Sequence, residues 1–245
     1  MAVYGLDIGG TKIETAIFND NLEQQQSWRI TTPTDDYQQF LHAIYQQVIK
    51  ADELTGCQGA VGIGMPGIVN DEGKVLSANV PCATGKVIAN DLQALLKRPV
   101  AILNDTRCFA LSEANGGAGE GYSRVFGAIV GTGAAGGMCI DGTLFNQGLG
   151  MSGEYGHLPL SAYLQQKYQL PVLKCGCGLN GCVESYIAGP GVQTLYQHIT
   201  QSPKSAIEWA NDIKRGDEQA LKVLACYLDI LGETFAAISK SLHPE

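Results

Sequence analysis

One design occurs twice in this chain. Residues 3–6 and 13–18 read as β-strands joined by Asp7-Ile8-Gly9-Gly10-Thr11-Lys12. Residues 124–130 and 138–140 read as strands joined by Gly131-Thr132-Gly133-Ala134-Ala135-Gly136-Gly137. Glycines permit positive φ and close backbone approach, and in the first loop Thr11 and Lys12 add a hydroxyl and a cation. Taken singly, each segment is as consistent with a plain hairpin turn as with a phosphate-binding loop. Occurring once in each half, the two predict a duplicated fold whose halves clamp a polyphosphate.

The stretch between the loops reads as alternating α/β structure. Residues 35–54 form an amphipathic helix, with Phe40, Ile44 and Val48 beside Leu41, Tyr45 and Ile49 on one apolar face. Residues 60–63 are a buried-strand candidate running into Gly62-Ile63-Gly64-Met65-Pro66-Gly67. Residues 74–78 read as a brief strand before Asn79-Val80-Pro81, and residues 88–96 as a short helix. Pro99 introduces a strand over 100–103 that ends at Asn104-Asp105, where a second helix begins. A carboxylate at the C-terminal end of a strand sits where open α/β sheets bind ligands. The alternative for Asp105 is a helix N-cap, a common position for Asp.

Gly116-Gly117-Ala118-Gly119-Glu120-Gly121 reads as a flexible joint, so lobes at 1–118 and 119–245 are expected. Towards the C-terminus, residues 191–200 and 206–214 read as short helices, and Gly216-Asp217 opens a long one. Its stripe of Leu221, Leu224, Leu228, Leu231, Phe235, Ile238 and Leu242 is expected to be a core face, with a dimer seam as the alternative. No βαβ unit follows, so a duplicated fold is expected to be incomplete in its second lobe.

With 245 residues, 45% apolar and 16% charged, the chain is long and apolar enough for a real core. A net charge of −8 without a basic run argues against nucleic acid as a partner. No basic–apolar leader and no bilayer-spanning run is legible, which suggests a cytoplasmic protein with no membrane partner. In that compartment, eight cysteines point to metal binding before disulfides. Cys57, Cys82, Cys108, Cys139 and Cys226 are scattered and are expected to be small buried hydrophobes.

The other three cysteines cluster. His157 is followed by Cys175-Gly176-Cys177-Gly178-Leu179-Asn180-Gly181-Cys182, and His157, Cys175, Cys177 and Cys182 can supply the four ligands of a structural Zn²⁺ site. Unrelated reduced thiols are the alternative. Glu154 and Glu184 flank the set and are not needed to fill it.

Asp7-Ile8-Gly9-Gly10-Thr11-Lys12, Gly62-x-Gly64-x-Pro66-Gly67, Asn104-Asp105, Gly131-Thr132-Gly133 and the His157/Cys175/Cys177/Cys182 set resemble, in that order, the ROK family of repressors, open-reading-frame proteins and sugar kinases. Asn79-Val80-Pro81 and Cys108-Phe109-Ala110-Leu111-Ser112-Glu113-Ala114 resemble its bacterial N-acetylglucosamine kinases. The resemblance implies an α/β, actin-like or hexokinase-type (ribonuclease H-like) pair of lobes with ATP and sugar in the cleft. It implies ATP-dependent phosphorylation of N-acetyl-D-glucosamine at the 6-hydroxyl, with Mg²⁺ accompanying ATP, and a homodimer. A glucokinase, an N-acetylmannosamine kinase or an impaired sugar-binding fragment are the alternatives.

Residue by residue, Asp105 resembles the general base, and Asn79, Asn104, Glu154, His157 and Glu184 the sugar ligands. Gly9, Gly10, Thr11 and Lys12 match the first phosphate loop, Asp7 the acidic group near Mg²⁺, and Thr132 and Gly133 the second loop. Ala135 and Arg107 stand where relatives usually carry Gly and Asn, and relatives continue past the position of Pro244 into a segment that holds adenosine. These departures suggest a looser or obstructed second loop, an altered environment for Asp105 and a missing adenosine half-site.

Overall fold

Hairpin chemistry starts the first sheet. The structure, a computed structural model, describes residues 2–70, 72–146 and 151–245. Strands β1 (Val3–Ile8) and β2 (Lys12–Phe18) pair antiparallel from Val3↔Phe18 to Ile8↔Ile13. Tyr4, Leu6 and Ile8 alternate into the core from β1, and Ile13 and Ile17 join them from β2. An unanticipated strand, β3 (Gln24–Thr31), pairs antiparallel with β2 and extends the edge. It reads QQQSWRIT; its glutamine half is exposed, and the period-2 signal of a half-buried strand is confined to Trp28 and Ile30, which pack against the core.

Two further strands, β4 (Ala60–Met65) and β7 (Val100–Asn104), run parallel to β1, completing a five-stranded sheet of order β3-β2-β1-β4-β7. The parallel strands need crossovers. The first contains α1 (Tyr37–Thr55), capped by Asp36, whose carboxylate accepts from Gln39 N–H at 2.8 Å. The second contains a small hairpin of β5 (Ile68–Val69) and β6 (Val75–Leu76), then α2 (Ile88–Leu96). The strand expected over 74–78 is thus confined to two residues, because a 3-10 turn at Pro81–Ala83 follows soon after. Phe40, Ile44 and Val48 of α1 and Ile88 and Leu92 of α2 pack with the sheet in one core.

Helix α3 (Asp105–Ala114) follows β7 directly. The chain divides into two compact units, Met1–Ser112 with Leu144–Ser152, and Glu113–Thr143 with Gly153–Glu245. The division therefore falls in the last turn of α3, not at the glycine-rich joint after residue 118, and the first unit takes back a later segment.

The second unit opens on the antiparallel pair β8 (Arg124–Val130) and β9 (Ala134–Ile140), closed by Gly131-Thr132-Gly133. Strand β9 begins four residues earlier than expected, so Ala135 is a strand residue opposite Ile129 and not part of the loop. A 3-10 turn at Tyr155–His157 leads through α4 (Ala162–Tyr168) to the cysteine segment, then to α5 (Glu184–Ile187), α6 (Gly189–Thr200), α7 (Ala206–Lys214) and α8 (Glu218–Leu242).

The stripe expected along α8 is met in part: Ile238 is buried and Leu224, Leu231 and Phe235 pack against the core of the second unit. Val223, Cys226, Ile230 and Ile238 are buried, whereas Leu221, Leu228 and Leu242 are exposed. Leucine stands on both faces of this helix, so side-chain type alone does not fix its rotation. The isolated cysteines also differ from expectation: Cys139 and Cys226 are buried, Cys82 and Cys108 half-buried, and Cys57 exposed. Among the described residues, no helix is long and apolar enough to cross a membrane.

Candidate active site and metal centre

Parallel pairing sets one group of site residues. Asp7 lies opposite Gly64, and Met65 lies opposite Asn104, so β1, β4 and β7 end together with Asp7, Pro66-Gly67 and Asn104-Asp105 at their C-terminal edge. This is the edge at which open α/β sheets bind ligands. The first glycine loop rises from the same edge. Gly9 N–H donates to Lys12 O (2.8 Å), and Thr32 Oγ1 donates to Gly9 O (2.7 Å). Gly10 abuts the Asn79 turn: a Cβ there would lie 2.7 Å from Asn79 O, so only glycine permits this approach. Asp7, Gly9, Gly10, Thr11, Lys12, Asn79, Asn104 and Asp105 thus all belong to the first unit.

Asn104 takes the capping role that Asp105 was expected to compete for. Its Oδ1 accepts from Thr106 N–H (3.0 Å), Arg107 N–H (3.3 Å) and Thr106 Oγ1 (2.5 Å), while its Nδ2 donates to Gly67 O (2.9 Å). Asp105 keeps one backbone bond, from Thr106 N–H at 2.9 Å. Burial raises the Asp105 pKa above its ordinary 3.8, the Thr106 N–H pulls it back, and the nearby Asp7 charge raises it again. Asn104→Ala removes a cap and a bond to Gly67, and is expected to cost about 1–3 kcal/mol of stability, measured by denaturant unfolding. An unchanged midpoint would show that these bonds carry nothing.

Arg107 is buried beside this pair, and its guanidinium donates to Phe145 O (3.4 Å) and Asn146 O (2.9 Å). Its charge is spent on a loop and is not among the causes that shift Asp105. On the other side, Cys108 is pushed up to about 11 by burial and by the Asp105 and Asp7 charges, and remains a neutral thiol at physiological pH.

The second group belongs to the second unit. Cys175 N–H donates to Leu179 O (2.8 Å) and Gly178 N–H to Cys175 O (3.0 Å), a tight turn that brings Cys175 and Cys177 together. Val183 N–H bonds to Leu158 O (2.9 Å), which sets Cys182 beside the turn that carries His157. The four donor atoms of His157, Cys175, Cys177 and Cys182 all lie within 4.8 Å of one another. Cys175 Sγ to His157 Nδ1 and Cys177 Sγ to Cys182 Sγ are both 3.7 Å. Tetrahedral bonds of ~2.3 Å to sulfur place neighbouring ligands roughly 3.8 Å apart, so the set fits a zinc ion.

Thiol chemistry agrees with that fit. Burial, then Cys177 and Cys175, push Cys182 up to about 12, whereas Cys177 is lowered, chiefly by the Leu179 backbone N–H. Three clustered sulfurs resist joint ionisation without a cation to receive them. His157 presents Nδ1 to the sulfurs and Nε2 to Glu154, whose Oε2 is 3.7 Å away. A metal on Nδ1 therefore leaves Nε2 carrying the proton.

Glu184, the first residue of α5, points at the second glycine loop and accepts from Ala134 N–H at 2.8 Å. Thr132, Lys174, Glu184, Ser185 and Thr194 line a hollow of about 300 Å³ next to that loop. Sequence reasoning did not find Ala134, Tyr155, Lys174 or Thr194. Backbone donors and residues meeting through tertiary packing leave no spacing signal.

A family model matches residues 3–245 and is described as the ROK family. The chain belongs to the ROK family. The ROK chain is 48% identical over 242 residues to a protein named N-acetylgalactosamine kinase from Shewanella sp. (strain ANA-3), covering 99% of this chain and 79% of that one. It is 42% identical over 245 residues to an N-acetyl-D-glucosamine kinase from Shigella flexneri serotype 5b, covering 99% and 81%. Among solved structures, a ROK hexokinase from Thermus thermophilus superposes with a TM-score of 0.86 at 30% identity, over 100% of this chain and 79% of that one. The α/β fold is therefore of the actin-like, hexokinase type shared by ROK sugar kinases.

Proposed function

We propose that this ROK protein is a sugar kinase that transfers the γ-phosphoryl group of ATP to the 6-hydroxyl of N-acetyl-D-glucosamine. The observation that carries the reading is Asp105, a half-buried carboxylate at the C-terminal sheet edge whose raised pKa suits a general base and whose capping duty is taken by Asn104. In this reading Asp105 accepts the 6-hydroxyl proton as the phosphoryl group arrives. Backbone N–H groups of the loops at Gly9 to Lys12 and at Thr132-Gly133 cradle phosphate oxygens, with Asp7 near the Mg²⁺ that enters with ATP.

Asn79, Asn104, Glu154, His157 and Glu184 hold sugar hydroxyls in this reading. The 3.7 Å gap between His157 Nε2 and Glu154 Oε2 supports the assignment. A hydroxyl oxygen ~2.8 Å from both atoms can accept from the imidazole and donate to the carboxylate. Asn104 contributes mainly through position, because both ends of its amide already serve the α3 cap and Gly67. Zn²⁺ on His157, Cys175, Cys177 and Cys182 supplies structural rigidity; all four positions are protein ligands, leaving none for water activation. The family resemblance extends the proposal to a homodimer acting in the cytoplasm.

The 48%-identical relative named N-acetylgalactosamine kinase favours a second reading, in which the sugar differs only at C4. A coupled assay across N-acetylglucosamine, N-acetylgalactosamine, N-acetylmannosamine and glucose separates them. The highest kcat/KM is expected for N-acetylglucosamine. A preference for N-acetylgalactosamine establishes the second reading, and turnover of glucose alone rejects both.

A further inference from the structure

Glu184 is built into the second glycine loop. Its Oε2 accepts from Ala134 N–H at 2.8 Å, and a Cβ on Gly133 would lie 2.9 Å from that same oxygen. Gly189 N–H donates to Gly131 O in the loop (2.8 Å), and Tyr155 Oη donates to Ile129 O in the strand that leads into it (2.8 Å). Two of these three anchors adjoin metal ligands in the chain. Tyr155 precedes His157 in the same 3-10 turn, and Glu184 follows Cys182 by two residues. The Cys/His cluster and the glycine loop therefore share one hydrogen-bonded frame.

A carboxylate is a poor neighbour for polyphosphate, because like charges repel. It is tolerable where its charge is already spent on a backbone donor, and Ala134 N–H supplies one. The glycine loop in turn gains what its composition denies it. Gly131-Thr132-Gly133 has little intrinsic preference for a single conformation, and N–H groups bind anions well only when their directions are fixed beforehand.

We propose that Glu184 is a positioning residue for the second phosphate loop, transmitting the order of the Cys/His metal cluster to Gly131-Thr132-Gly133, so that ATP polyphosphate binding depends on the order of the metal segment. The proposal deepens the kinase reading and rests on it for the identity of the anion. It is separate from a sugar contact by Glu184, and the two roles move different constants.

The test compares Glu184→Gln with Glu184→Ala in the full chain, reading KM for ATP, KM for sugar and hydrogen exchange at the Ala134 amide. Gln retains an acceptor oxygen without the charge, so E184Q is expected to keep Ala134 protected and to hold KM for ATP within about threefold of wild type. E184A is expected to lose that protection and to raise KM for ATP about tenfold. Chelation of the metal is expected to speed Ala134 exchange in the wild-type chain. Unchanged exchange in E184A overturns the proposal, as does lost protection with an unaltered KM for ATP. Equal rises in sugar KM in both variants with ATP constants untouched also overturn it, reducing Glu184 to a sugar ligand. If E184A fails to fold, E184Q decides: loss of Ala134 protection there contradicts the acceptor role. If wild type neither binds nor turns over ATP, the kinase reading falls, while the exchange comparison still decides whether Glu184 orders the loop.

Discussion

Asp105→Asn is expected to lower kcat by about 10²–10⁴ while leaving sugar affinity nearly intact, and to raise Tm in the same protein. The rate loss follows from removing the proton acceptor while keeping the shape and the bond from Thr106 N–H. The stability gain follows from the sign of the pKa shift. Burial and Asp7 raise the Asp105 pKa above 3.8 in the folded chain, so the native state holds that proton more tightly than the unfolded state does. The favourable contribution is present below the unfolded value and is lost as pH rises through the folded value; at neutral pH the buried carboxylate is a net cost. Asn removes that cost. The same shift predicts that the acid limb of kcat/KM lies above pH 3.8. Thermal unfolding and initial rates of the pair check both halves: an unchanged rate removes Asp105 from the base role, and a lower Tm contradicts the electrostatic account.

Removing the metal is the second large expectation. The segment from Leu173 to Val183 is held by short turns and two isolated bridges, Pro159↔Cys182 and Lys174↔Asn180, with no strand or helix of its own. Structural zinc contributes on the order of 10–16 kcal/mol to the folding of small zinc peptides. Val183, Tyr186 and Ile187, directly after Cys182, are core residues of the second unit, whereas the core of the first unit contains no residue of this segment. Chelation or Cys182→Ser is therefore expected to melt the second unit first and leave a separate, later transition for the first. Metal analysis of unchelated protein is expected to give one zinc per chain. Content well below that, or a Tm indifferent to chelation, contradicts a structural zinc.

The legibility of this molecule in its sequence followed physical lines. Residues whose chemistry is local to a motif were readable: the two hairpins, the Asn104-Asp105 strand end, the Cys175/Cys177/Cys182 spacing. Strand β3 was hidden because its glutamine half is exposed and carries no alternation, which leaves only Trp28 and Ile30 as a short period-2 signal. The core face of α8 was legible at Leu224, Leu231, Phe235 and Ile238, but buried Thr234 carries no apolar signal and exposed Leu221 and Leu228 carry a false one. The site differed in the same way. Asn104 was read as a ligand, yet its visible work is capping α3, and the link from Glu184 to Ala134 exists only through tertiary contact. Arg107 was read as a charge near Asp105, and it instead holds backbone carbonyls at Phe145 and Asn146.

The most direct test of the kinase account is product analysis. The purified 245-residue chain is incubated with ATP, Mg²⁺ and N-acetylglucosamine, and the phosphorylated carbon is located by phosphorus–proton coupling. The account predicts ADP and N-acetylglucosamine 6-phosphate in equal amounts from wild type, formed about 10²–10⁴-fold more slowly by Asp105→Asn. ADP without sugar phosphate, phosphate on a different hydroxyl, or an Asp105→Asn variant as fast as wild type would contradict it.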